Sequence, residues 1–91
     1  MNYIEEADTI DIREALYFMS QNPPYKFARL KIIPTPKHVP PILSFVFHGE
    51  KIHEVQRRYM NGDYMGVDYS NLKLLASEIE TYLRSQEDYC I

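Results

Sequence analysis

Midway along the chain the hydrophobic periodicity switches from that of a strand to that of a helix, and this switch restricts the fold more than any other feature. Residues 42–48, Ile-Leu-Ser-Phe-Val-Phe-His, are apolar and rich in aromatic and β-branched side chains, the composition of a buried strand. His48-Gly49 interrupts them. From Glu50 onward Ile52, Val55 and Tyr59 recur on one helical face, and Glu54 precedes Arg58 by four residues, the favourable order for an outward ion pair. Asn61-Gly62 tolerates the left-handed backbone with which helices commonly end. The unit reads as strand, tight turn, short helix, stop. It contains no catalytic signature.

The flanking segments follow from the same reasoning. Residues 1–8 are acidic with little periodicity and read as a loosely ordered lead-in. A first helix begins near Thr9 or Asp11, where Asp11 and Glu14 resemble a capping box. Ile12, Ala15, Leu16 and Met19 give it an apolar row, and Pro23-Pro24 ends it. In Tyr25 to Ile33, a strand, Ala28, Leu30 and Ile32 alternate with Phe27, Arg29 and Lys31, so one face is apolar and the other is basic with an aromatic at its start. Four prolines within residues 34–41 forbid a regular element and make a stiff, projecting loop. No two of these prolines have the spacing of a PxxP ligand. In the next strand Leu43, Phe45 and Phe47 belong inside. Residues 63–67 read as short and extended, a candidate third strand with Val67 packing inward. Asp68 or Ser70 caps a last helix whose stripe is Leu72, Leu75, Ala76, Ile79 and Leu83, joined by Tyr82. Residues 86–91 read as a loosely ordered tail.

These elements predict a single α+β domain over residues 1–91, in the order α-β-β-α-(β)-α. A small two- or three-stranded antiparallel sheet carries helices on one face, and the strands are antiparallel because the connection between them holds no crossover helix. A chain of 91 residues builds only one modest core. The sheet's other face and at least one edge would then be open, and an open edge is a template for another chain unless charge or proline blocks it.

The net charge of −3 is unevenly spread. Residues 23–49 hold Lys26, Arg29, Lys31 and Lys37 with no acid, whereas both flanks are acidic. No apolar run approaches membrane-spanning length, and the N-terminus has neither the basic nor the apolar region of a signal peptide, so no membrane partner and a cytoplasmic location are expected. The single cysteine, Cys90, forms no internal disulfide, in keeping with a reducing compartment.

The order and spacing resemble a family of small proteins from phages, plasmids and other mobile elements of Firmicutes. There an N-terminal helix leads to a strand ending near F-x-F, a helix ending in a Tyr-x-Asn-Gly-like turn, a short extended piece and a final helix. The matching residues are Ile12 to Ser20, Phe45-Val46-Phe47, Tyr59-Met60-Asn61-Gly62 and Tyr69 to Arg84. The resemblance covers most of the chain through short structural motifs. It implies a mobile-element origin and supplies no activity.

Chemistry finds little foothold. Glu50 and His53 form one E-x-x-H, half of what a di-iron bundle uses, and His48 and His53 straddle a strand-to-helix break, so no metal or cofactor is expected. Cys90 lacks a base near it in sequence, there is no nucleophile elbow, and the three glycines make no phosphate-cradling loop; the chain reads as non-enzymatic with no catalytic residues. Two binding readings are left. Tyr25, Phe27, Arg29, Lys31, Lys37, His38 and Tyr64 would contact a protein, of the host or a second copy of the chain, which makes the molecule an accessory, regulatory or inhibitory factor. Alternatively the basic ribbon of that set would contact nucleic acid, against the repulsion of acidic flanks.

Overall fold

A computed structural model describes residues 5–63 and 65–89, with the backbone alone for 87–89. The elements are β1 (Glu5–Thr9), α1 (Ile12–Met19), β2 (Lys26–Ile33), β3 (Ile42–Gly49), α2 (Ile52–Met60) and α3 (Asn71–Tyr89). The three strands form one antiparallel sheet in the order β1-β3-β2, and the helices lie against one of its faces, so the class is α+β. The third strand differs from the expectation. It is β1, from the segment taken as a loose lead-in, whereas Met65-Gly66 is a turn and no strand occurs among the described residues of 63–67. The chain from Gln86 to Tyr89, read as a loose tail, continues α3. Cys90 and Ile91 lie outside the described residues.

β1 forms because Ala7 and Thr9 point inward while Glu6 and Asp8 point to the other face, an alternation its small inward side chains conceal in the sequence. Register lines up Ala7, Phe47 and Phe27 across the sheet, followed by Thr9, Phe45 and Leu30. This corrects the reading of β2. Ala28 is an extra residue between Phe27, paired with Phe47, and Arg29, paired with Val46, and such a bulge resets the alternation. Phe27 therefore shares the helix-facing side with Leu30 and Ile32, and Arg29 and Lys31 occupy the opposite side.

The core is built around α1, in which every residue from Glu14 to Met19 is buried. A helix buried all round must be apolar or satisfied on each side. Its Phe18 ring stacks at a tilt on Phe47 with centroids 5.4 Å apart, and Phe47 meets Phe27 at 5.9 Å, which in turn meets Tyr82 of α3 at 6.1 Å. Asp11 caps α1 by accepting a 2.9 Å bond from the Arg13 amide. The far side of α1 is polar and paired: Arg13 Nε donates to the Tyr59 hydroxyl (2.8 Å), Tyr59 donates to Asp11 (2.7 Å), and Tyr17 donates to Asp63 (3.1 Å). These bonds tie α2 to α1 and account for two of the tyrosines as structural. Ser20 Oγ accepts from the Asp68 amide at 2.8 Å and fixes the approach to α3.

Candidate protein-binding surface

The sheet face away from the helices carries Glu6 and Asp8 on one outer strand and Arg29 and Lys31 on the other, with Val46 and Ser44 between them on β3. Arg29 reaches over the central strand and grips Glu6 with both terminal nitrogens, at 2.8 and 2.9 Å. Lys31 stands 3.9 Å from Asp8, which also accepts from the Ser44 hydroxyl at 3.1 Å. The guanidinium bonds hold the Glu6 carboxyl below the usual carboxylate range and raise Arg29 in turn. Beneath these pairs Val46 is 2% and Ser44 0% exposed. The cations expected to meet a partner from this face are thus neutralised within the sheet.

The hairpin ends differently. β1 stops where Thr9 pairs with Phe45, so residues 42–44 of β3 have only β2 beside them. In this last stretch Ile32 pairs with Leu43 on the helix side and Ile33 pairs with Ile42 on the other, giving a ribbon that is apolar on both faces. Ile32 is 65% and Leu43 50% exposed, both against the expectation that they face the core. Val39 in the proline loop and Ile10 and Ile12 at the β1-to-α1 junction are also largely exposed. The sequence alternation gave no warning of this, because it marks which residues share a face and not whether anything covers that face. β2 and β3 have eight residues each, roughly 26 Å at the rise of a strand. α1 has eight residues too, but only about 12 Å at the rise of a helix.

A concavity of about 720 Å³ lies at the opposite end of the hairpin between Pro23-Pro24-Tyr25 and α2. Lys26, Lys51 and Arg58 line it together with Glu50 and Glu54, so cations outnumber acids there by one. Tyr25 belongs to the framework there. Its hydroxyl donates to the Glu50 carbonyl at 2.7 Å, its ring stands edge-on to Phe18 at 6.2 Å, and burial raises its pKa. Position 49 must be glycine, since a Cβ would lie 2.3 Å from the Tyr25 ring. Among the described residues no three His, Cys, Asp or Glu side chains gather as a metal site, and no helix is long and apolar enough to cross a membrane.

The residues expected to contact a partner therefore separate. Tyr25 and Phe27 pack inward, and Arg29 and Lys31 pair with β1. Lys37 and His38 sit exposed at the tip of the proline loop, beside the apolar ribbon. Beside them Ile32, Val39, Ile42 and Leu43 form an exposed apolar group that the expected contact set does not include. Tyr64 lies outside the described residues. No protein-family model matches the chain, and neither a curated protein nor a solved structure matches it.

Proposed function

We propose that this protein acts by stoichiometric binding to another protein, as an accessory or inhibitory factor, and that the outer end of the β2–β3 hairpin is the contact. The observation that carries the reading is the two-sided apolar ribbon formed by Ile32 with Leu43 and Ile33 with Ile42. A ribbon apolar on both faces is what a strand pair buried between two layers looks like, and here the described residues leave Ile32, Ile42 and Leu43 exposed. A partner with an apolar cleft would supply them, while the four prolines of the adjoining loop limit the entropy lost on docking. Lys37 and His38 at the tip would favour an acidic rim around that cleft.

The nucleic-acid reading draws less support. Arg29 and Lys31 would have to leave Glu6 and Asp8 before they could neutralise phosphate, and the chain as a whole is acidic. A low-salt mobility-shift assay with single- and double-stranded probes is expected to show no binding.

The decisive experiment is capture from cells that make the protein, with wild-type and Ile32→Glu/Leu43→Glu baits compared side by side. A partner held by the wild type and released by the double variant, whose thermal midpoint is unchanged, is the expected result. Equal retention by both baits would place the contact elsewhere.

A further inference from the structure

We infer that α3 carries a second, separate interface, and that its occupant is α3 of another copy of this chain, packed antiparallel. α3 runs for 19 residues, and among its described side chains Leu75 is in the core while Ile79 and Tyr82 lie partly exposed at its edge. The adjoining row of Leu72, Ala76 and Leu83 is exposed, with both leucines about half accessible. Together with Ile79 these residues recur at alternating intervals of four, three and four, which is the seam of a two-stranded coiled coil. On the sequence alone this row was expected to be buried against the sheet.

The register is self-complementary only in the antiparallel sense. Setting Leu72 against Leu83 of the second copy places Ala76 against Ile79, and the two-fold axis repeats both layers. The small side chain of Ala76 leaves room for the branched side chain of Ile79. One flank of the seam is Leu75 and Tyr82, which each copy has already turned to its own core; the other is Lys73 and Glu80, both exposed. In the antiparallel register Lys73 of each copy meets Glu80 of the other, at both ends of the seam. A parallel pairing would aim these charges at the Leu75 and Tyr82 flank, which is not available. Arg84, the present partner of Glu80, is an exposed surface group whose pairing competes weakly.

Self-association through α3 leaves the hairpin end for a different protein, and the two readings stand or fall separately. The seam is short, about 16 Å of helix. Its area falls below the roughly 1,200 Å² at which stable complexes begin, so the dimer is weak and dependent on concentration.

Sedimentation equilibrium on the intact protein, from low micromolar to millimolar concentration, tests the inference. The wild type should pass from monomer to dimer across that range, and Leu72→Glu/Leu83→Glu should stay monomeric with unchanged helicity by circular dichroism. Lys73→Glu should weaken the dimer several-fold, and Lys73→Glu/Glu80→Lys should restore it, because the exchange recreates both pairs. A wild type that is monomeric throughout would overturn the inference. So would a dimer unaffected by the leucine substitutions, lost on Ile32→Glu/Leu43→Glu, or not rescued by the charge exchange.

Discussion

The two ends of β3 have nearly the same composition and opposite surroundings. Phe45 and Phe47 have β1 on one side, β2 on the other and α1 beneath; Leu43 and Ile42 have β2 alone. Phe47 is fully buried while Leu43 is half exposed, although both point to the same side of the sheet. The difference teaches that burial here is decided by the length of what lies across the strand and not by the strand's own residues. One end of the hairpin is the core of the fold, and the other is apolar for a reason the fold does not supply.

Truncating each end should separate the two roles by energy. Phe47→Ala leaves a cavity beneath Phe18 and Phe27 and should cost about 3–5 kcal/mol, enough to lower the thermal midpoint by well over 10 °C or to unfold so small a domain. A loss below about 1 kcal/mol in chemical denaturation would mean that the core is centred elsewhere. Gly49→Ala, at the junction of β3 with the turn, forces a methyl against a Tyr25 ring that is held at its hydroxyl. It should cost about 1–3 kcal/mol, and Tyr25→Ala in the same chain should relieve part of that cost in a double-mutant cycle.

Two carboxyl groups sharpen the contrast between buried and open surroundings through pH. Burial within α1 raises the Glu14 pKa against an opposing hydrogen bond from Thr9, with the nearby Asp11 and Asp8 charges adding to the rise, whereas the bond from Arg29 lowers that of Glu6 on the open face. A raised carboxyl pKa means that the folded state binds the proton more tightly than the unfolded chain. Its stabilising share is complete below the ordinary glutamate pKa and is lost as pH rises through the folded value. Glu14→Gln should therefore raise the midpoint at neutral pH by roughly 1–4 °C and give no gain in acid. Glu6 has the opposite sign: its contribution is complete above the ordinary pKa and disappears as pH falls through the lowered one. Glu6→Gln should lower the midpoint slightly at neutral pH and flatten the acid limb of the stability profile. The smallest effect belongs to the hairpin end, where Leu43→Ser should change stability by about 0.5 kcal/mol or less while removing partner capture.

Much of this architecture was legible in the sequence, for identifiable reasons. The change of period at His48-Gly49, the cap at Asp11 and the prolines after α1 are local signals, and each marks a boundary that the structure keeps within a few residues. β1 was hidden because its inward residues, Ala7 and Thr9, are too small to print an apolar alternation. The bulge at Ala28 has no glycine or turn residue to announce it, yet it moves Phe27 from the candidate contacts into the core. The pairing of Arg29 with Glu6 depends on a strand order that brings residues far apart in sequence onto one face, and no spacing rule encodes it. The candidate surface was hardest to read, because it consists of residues whose type says inside and whose cover is absent.

A hydrogen-exchange footprint on this chain, taken with and without the captured partner, tests the central claim most directly. New protection should appear in residues 32–33 and 42–43 and across the intervening proline loop, while Phe45 to Phe47, slow to exchange in the isolated protein, should change little. Protection confined to Arg29 and Lys31 or to the groove beside Tyr25, with the end of the hairpin exchanging as before, would contradict it.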